Sequence, residues 1–307
     1  MTRLLISELK VSQAATIPLV CMESSVKETR SHKPYVNMRL YDGINDIYAN
    51  FWNYNGPQPE LNTVYDFHAV VDSYQGNLQL NVKSFDKNTS IHINEFAPAS
   101  DYNIADVYKC AYTLISEVSN DFFRGIGLWA LEEFKDLWIT VPGAKTIHHA
   151  YAGGTLIHSY SVATIAKAMA MSIPGADVDT CTVCGFLHDI GKLFTYAING
   201  ITIELTNQGS LLDHVIIGEQ IILEGMNVTQ RFDKEAIILQ HIIAAHHGLQ
   251  EFGAAVTPAC IEAYIVYHAD AVDAAAEQIR EASKKASSDT IWTDRIWALS
   301  NRPHLKV

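Results

Sequence analysis

Cysteine is scarce in this sequence: five residues among 307, at positions 21, 110, 181, 184 and 260. An odd number without regular spacing excludes a disulfide framework. Cys181 and Cys184 form one C-x-x-C, but no second pair exists to complete a four-thiolate zinc site. The surrounding TCTVCGFLHDIG is apolar, so small buried helix residues are the expectation. Long apolar runs are also missing. Nothing approaches a membrane span, and the opening MTRLLISELK lacks the apolar core of a signal peptide. The cytoplasm is therefore the expected compartment, with no membrane partner. Cations are in short supply: 22 Lys and Arg against 34 Asp and Glu give a net charge of −12. That balance argues against a large basic nucleic-acid footprint.

The deficit is uneven. Residues 1–95 carry eight Lys/Arg against ten Asp/Glu, leaving fourteen against twenty-four beyond them. Carboxylates that bind cations would not repel a phosphate-bearing substrate, so acidity alone does not exclude one. With 48% hydrophobic and 18% charged residues the chain has the composition of a globular protein, long enough for two ordinary domains.

The two halves differ in periodicity. PYVNMRLYD (34–42), DIYANFWNY (46–54), TVYDFHAVVDSY (63–74) and LQLNVKSF (78–85) are aromatic, β-branched and partly alternating. Gly43, the NGP at 55–57 and Gln75–Gly76–Asn77 punctuate them as turns. Four or five short antiparallel strands in so short a segment suggest a small barrel, and the OB-fold is the commonest such barrel that binds single strands. Past FAPASD (96–101) the spacing turns helical, over 105–123, 128–141, 161–171 and 235–246. The expected fold class is multi-domain α+β: a barrel over residues 1–95 and an all-α domain over 101–307.

The strongest chemical signal is GFLHDIGKL (185–193). His188 and Asp189 point in different directions on a helix, which suits gripping a cation from its edge. Lys192 lies four residues past His188, on the same predicted helical face, where it would reach a phosphate oxygen. His158, His214, His246 and Asp270 follow at intervals of roughly one helix or helix pair, as in a bundle that gathers one ligand from each helix. His247 is a weaker candidate beside His246. Imidazole with carboxylate suits Mn²⁺, Fe²⁺, Co²⁺, Ni²⁺ or Zn²⁺ rather than Ca²⁺. Asp189, with two oxygens, would bridge two ions, and such a pair lowers the pKa of a bound water and screens phosphate charge. In the first half Tyr35, Tyr41, Phe51, Trp52 and Tyr54 are candidates for base stacking, with Lys33 and Arg39 for phosphate. Each aromatic could equally fill the barrel.

The order H…HD…H…H…D resembles the HD superfamily of metal-dependent phosphohydrolases. HHAYAGGTLIHSYSVA (148–163), FLHDIGK (186–192), LLDHVIIG (211–218), AAHHG (244–248) and YHADAVDA (267–274) are similar to the YhaM family of 3′-to-5′ exoribonucleases. KPYVNMRLYDGINDIYANFWN and VVDSYQGNLQLNVKSF resemble that family's barrel strands. The resemblance implies an OB-fold before an HD domain and a divalent metal, typically manganese. It implies stepwise removal of nucleotides from the 3′ end of single-stranded RNA, sometimes DNA, by a homo-oligomer. The set of site residues is then Asp189 and Lys192 for catalysis, with His149, Lys192, Tyr35, Lys33 and Trp52 for the substrate. Two positions depart from the family pattern. GLQEFGAAVTP follows His247 where a Gly-Ser-Pro turn is common, and Ile157 precedes His158 where an acidic residue is common. Hydrolysis of nucleotides or cyclic nucleotides is the alternative chemistry, and a non-catalytic nucleic-acid-binding regulator the alternative class.

Overall fold

The computed structural model describes residues 4–54, 56–146, 149–230, 234–286 and 290–307. Asn55 of the turn at 55–57 and His148 at the head of the 148–163 segment lie outside the described residues. The chain divides into two compact units, Met1–Ala99 with Asn199–Thr202, and Ser100–Ile198 with Ile203–Val307.

The first unit is a closed barrel of five strands in the order β1-β2-β3-β5-β4: β1 Ala14–Glu28, β2 Pro34–Tyr41, β3 Asp46–Trp52, β4 Val64–Tyr74 and β5 Asn77–Lys87. All neighbouring pairs are antiparallel except β3 with β5, which run parallel through Tyr48–Asn50 and close the barrel. Alternation puts Ile17, Leu19, Val36, Met38, Leu40, Ala49, Phe67, Val71, Leu80 and Val82 inside, each essentially inaccessible. β1 was not singled out from the sequence, because Pro18 interrupts its apolar first half and its second half is polar and charged. The buried Asp42 fixes the β2–β3 corner: Oδ1 accepts from the Ile44 and Asn45 N–H groups and Oδ2 from that of Ile6.

The second unit is helical: α1 Ile104–Ser116, α2 Asp121–Glu133, α3 Lys135–Thr140, α4 Gly154–Ser172, α5 Val178–Leu187, α6 Lys192–Thr195, α7 Asn207–Thr229, α8 Lys234–Ala245 and α9 Ile261–Lys285. The periodic stretch 105–123 is two helices rather than one. Asn120 caps α2 by accepting from the N–H groups of Phe122 and Phe123, while Asp179 takes those of Ser119 and Asn120. The stretch 128–141 likewise breaks at Phe134. A short hairpin, β6 Tyr196–Asn199 and β7 Thr202–Leu205, interrupts what the sequence reads as all-helical. Among the described residues no helix is long and apolar enough to cross a membrane.

Two close approaches bring the helices of the site together. A Cβ on Gly185 of α5 would lie 3.2 Å from Ala163 Cα on α4, so these helices nearly touch. A Cβ on Gly191 would lie 1.9 Å from the carbonyl oxygen of His214 on α7, a separation only glycine permits. Trp138 packs on Phe186 beneath them and donates Nε1–H to the Ala130 carbonyl. Cys181 and Cys184 are buried in this core, and burial pushes the Cys181 thiol up to about 12.

Candidate metal centre

His158 sits in the interior of α4, and Asp270 on α9 faces it. His188 and Asp189 lie just past the end of α5. The sequence places His188 and Lys192 on one continuous helix, but α5 ends at Leu187. The chain continues through i→i+3 bonds, Ile190 N–H to Leu187 and Lys192 N–H to Asp189, before α6 begins. The tight turn follows from the contact of Gly191 with α7, which leaves no room for a regular helix carrying side chains there. His214 follows a kink in α7 at Asp213, whose φ of 65° is unusual for a residue with a side chain. His246 and His247 follow the end of α8.

The two oxygens of Asp189 face two separate groups. On one side His158 Nε2 is 3.2 Å from Asp189 Oδ2 and 3.2 Å from Asp270 Oδ1. His188 Nε2 is 3.2 Å from Asp189 Oδ2 and 4.0 Å from Asp270 Oδ1. On the other side Asp189 Oδ1 lies 3.5 Å from His214 Nε2 and 3.6 Å from His246 Nε2. His247 Nε2 is 3.2 Å from His214 Nε2. Donor atoms of His158, His188 and Asp270 lie within 4.8 Å of one another, as do those of His214, His246 and His247.

Each of four imidazoles is aimed by its other nitrogen. His188 Nδ1 is 2.8 Å from the Gly185 carbonyl and His246 Nδ1 is 2.7 Å from that of Ile243. His158 Nδ1 is 2.7 Å from Asp273 Oδ2 and His214 Nδ1 is 2.6 Å from Asp213 Oδ1. All four acceptors require an Nδ1–H donor, so Nε2 is the nitrogen each ring turns to the centre, where its lone pair serves a cation once no proton occupies it. Two inward atoms have no hydrogen-bond partner although buried: Asp189 Oδ1 and His246 Nε2. Unsatisfied buried polar atoms cost on the order of 1–3 kcal/mol each, so cations are the fitting occupants. The imidazole and carboxylate donors match a divalent transition metal.

Electrostatics keep the carboxylates ionised. Burial works to raise the Asp189 pKa, but Lys192 and then His188 and His158 outweigh it and hold it well below the usual carboxylate range. Lys192 Nζ, expected from the sequence to meet a phosphate oxygen, is 2.6 Å from Asp189 Oδ2. Burial likewise opposes charge on His158, yet Asp189, Asp270 and Asp273 raise its pKa well above the ordinary histidine value. His246 lies in the opposite sense: burial dominates and lowers it, so it is neutral and ready to ligate.

Except for Lys33, the other residues expected to meet the substrate are each engaged within their own unit. His149 is buried, with Nε2 2.8 Å from Asp273 Oδ2 and Nδ1 2.8 Å from the Tyr151 hydroxyl. It therefore stands behind His158, with Asp273 between the two rings. In the barrel, Tyr35 and Trp52 pair across β2 and β3 with ring centroids 4.5 Å apart. Phe51 and Tyr54 stack on each other and pack against the barrel core, and Tyr41 donates to the Gly43 carbonyl. Lys33 is exposed. Arg39 is engaged by Asp46 at 2.7 Å and Glu23 at 3.3 Å. Asp273, Asp213 and Ser161 are functional neighbours that the sequence reading passed over. Asp273 had a signal, three residues past Asp270 on the same apolar helix.

This donor arrangement, on helices gathered one ligand at a time, is that of an HD domain, and the HD domain family matches residues 155–275. Over nearly its full length the chain is similar to the 3′-5′ exoribonuclease YhaM of Bacillus licheniformis, at 28% identity over 296 residues, covering 93% of this chain and 92% of that one. Residues 155–275 thus match the HD domain, and the chain as a whole is similar to YhaM. Two solved structures also align in part. A domain of replication protein A from Methanococcus maripaludis is 21% identical, covering 27% of this chain and 90% of that one with a TM-score of 0.24. The HD domain of the phosphodiesterase PgpH from L. monocytogenes is 22% identical, covering 52% and 76% with a TM-score of 0.30.

Proposed function

We propose that the chain is a divalent-metal-dependent 3′-to-5′ exonuclease of single-stranded RNA, with single-stranded DNA as a second substrate. The observation that carries this reading is the division of labour at Asp189, whose Oδ2 faces His158 and His188 while Oδ1 faces His214 and His246. Two ions fit that arrangement. His158, His188, Asp189 and Asp270 would hold the first, and Asp189, His214, His246 and His247 the second, with Mn²⁺ the leading candidate. When bound, such ions supply Lewis acidity that lowers the pKa of water and offsets phosphate charge. The chain's own residues contribute the rest. Lys192 keeps Asp189 ionised and places an ammonium beside the centre, where negative charge develops on the phosphate. The direction of attack and the polynucleotide substrate rest on the likeness to YhaM, and the barrel supplies the surface along which a strand is held.

Assembly into a homo-oligomer belongs to the same reading and rests on the resemblance to the YhaM family. Light scattering reads that directly. The decisive experiment for the chemistry incubates the purified protein with Mn²⁺ and 5′-labelled single-stranded RNA. A ladder of shortening products supports the reading. Release of a single nucleotide from small phosphodiesters with no ladder transfers it to nucleotide hydrolysis.

A further inference from the structure

His149 is fixed both in its backbone and in its ring. Its φ of 52° is left-handed, which is uncommon for a residue with a side chain. The carbonyl oxygen accepts from the Gly143 and Tyr151 N–H groups, both at 2.9 Å, and a Cβ on Gly154 would lie 2.0 Å from the same oxygen. Of the ring nitrogens, Nε2 faces Asp273 Oδ2 and Nδ1 faces the Tyr151 hydroxyl, each at 2.8 Å. Tyr151 is buried, and its hydroxyl donates to Glu277 Oε1 at 3.2 Å. Burial, and next the Glu277 charge, push that hydroxyl above the ordinary tyrosine value, so it keeps the proton it donates. Glu277 is buried too, and Arg280 donates to both of its oxygens, from Nε and Nη2, at 2.6 Å each. Such a two-pronged pair holds its carboxylate in one geometry. Behind it the Arg280 guanidinium lies over the Tyr102 ring, 5.1 Å from the centroid. A line of contacts thus leads from Arg280 through Glu277, Tyr151, His149 and Asp273 to His158, all within the helical unit.

We propose that Tyr151 is a positioning residue for one of the two ions: anchored by the Glu277–Arg280 pair, its hydroxyl fixes His149, and through Asp273 the orientation of His158. The inference rests on the two-ion reading above and adds the part of the chain that sets the affinity of one ion without touching it. Asp273 is the joint. Its Oδ1 accepts from the Ser161 hydroxyl, so Oδ2 is shared between the two imidazoles and the place of one ring sets the place of the other. Were His149 free to turn, His158 would sample several orientations. Ordering it would then fall on the binding step and weaken the ion held by its Nε2. The other ion lies outside this line, because His214 and His246 are aimed by Asp213 and by the Ile243 carbonyl.

The test titrates the full-length protein, freed of metal with EDTA and dialysed, with Mn²⁺ in a calorimeter. Tyr151→Phe removes one oxygen and leaves the ring in place. The expected result is about tenfold weaker binding in the event that belongs to His158, the lower end of what outer-shell changes bring, with the event of His214, His246 and His247 unchanged. Because Tyr151 acts through Asp273, adding Tyr151→Phe to Asp273→Asn should weaken the His158 event no further. A role in packing alone predicts otherwise. Additive losses in the double variant, or equal losses in both events, overturn the inference. Glu277→Gln loosens the anchor from its other end and should weaken the same event, by less than Tyr151→Phe does. It serves in place of Tyr151→Phe if that variant does not fold, and no loss then overturns the inference. Donor atoms of His149, His158 and Asp273 lie within 4.8 Å of one another. A third Mn²⁺ per chain that His149→Asn abolishes would place an ion there instead of hydrogen bonds, and so overturns it as well. Full affinity of both events in folded Tyr151→Phe protein overturns the inference and leaves the two-ion reading standing. Fewer than two events in the wild-type protein overturns both.

Discussion

Asp273 Oδ2 lies 2.7 Å from His158 Nδ1, on the opposite edge of the imidazole from Asp189 and Asp270. The same carboxylate takes His149 Nε2 at 2.8 Å and the Ser161 hydroxyl on its other oxygen. Three donors hold one carboxylate, and their combined effect outweighs burial and keeps it ionised well below the usual range. An anion fixed there holds His158 in one tautomer and raises the basicity of Nε2.

Asp273→Asn should therefore weaken the Mn²⁺ binding event that belongs to His158 by about 10- to 100-fold, the usual consequence of losing an outer-shell carboxylate. Calorimetric titration of metal-free protein with Mn²⁺ reads this. The event belonging to His214, His246 and His247 should change far less. An unchanged isotherm would show that Asp273 serves only the packing of α4 and α9.

Asp189→Asn should abolish hydrolysis and both binding events, because one amide replaces the oxygens that face both histidine groups. The change also leaves Lys192, 2.6 Å from Oδ2, as a buried cation without its partner. Loss of one member of a buried pair costs about 3–5 kcal/mol, so a lowered melting temperature is part of the expectation. Near-normal turnover by a folded Asp189→Asn protein would remove the centre as assigned.

Stabilisation by metal should grow with pH. In metal-free protein the pKa of His158 is raised above its ordinary value near about 6.5. A group raised in the folded state lends stability that is full below its unfolded pKa and is lost as pH rises through the folded one. Asp189, Asp270 and Asp273 are depressed, so their contribution is present above about 3.9 and lost as pH falls through their folded values. Metal takes the place of the His158 proton, so raising pH weakens the metal-free protein and strengthens metal binding together. Melting curves with and without Mn²⁺ should diverge more at about pH 9 than at about pH 6. A constant gap across that range would contradict the proton-for-metal exchange.

Much of this was legible in the residues, and what was not has physical reasons. His158, His188, Asp189, His214, His246 and Asp270 stand out because ionisable groups inside apolar helical segments need a purpose, and the fold brings them together around Asp189. Strand alternation was readable wherever one face is core, as in Val36, Met38 and Leu40. The hairpin at Tyr196–Leu205 was hidden, since each strand is only four residues long and neither has a clear period. Lys192 and His188 do meet at one oxygen, Asp189 Oδ2, but not through the unbroken helix that the spacing assumes. The break at Leu187 is imposed by α7, far along the sequence. His149 looked like a substrate contact, and only tertiary packing shows its two nitrogens turned to Asp273 and Tyr151.

Gly191→Ala tests the link between that break and the metal centre. The added Cβ would sit 1.9 Å from the His214 carbonyl oxygen and close to the Gly218 backbone, so neither a rotamer change nor a flexible side chain can relieve it. Either α6 or α7 must move, and α7 carries His214. Overpacking of this kind costs about 1–3 kcal/mol when the backbone can shift. The expected outcome is a clear loss of stability accompanied by loss of the Mn²⁺ binding event that depends on His214. Gly185→Ala supplies the comparison. Its Cβ would meet Ala163 Cα at 3.2 Å, a tight contact that a few tenths of an ångström relieve, and Ala favours the helix that Gly185 occupies. Its effect should be the smaller, and should fall on the His158 side, because Ala163 shares α4 with His158. Melting temperature and Mn²⁺ titration of both variants, measured side by side, check the pair. If Gly191→Ala keeps full stability and both binding events, the close approach of the turn to α7 does not set the position of His214.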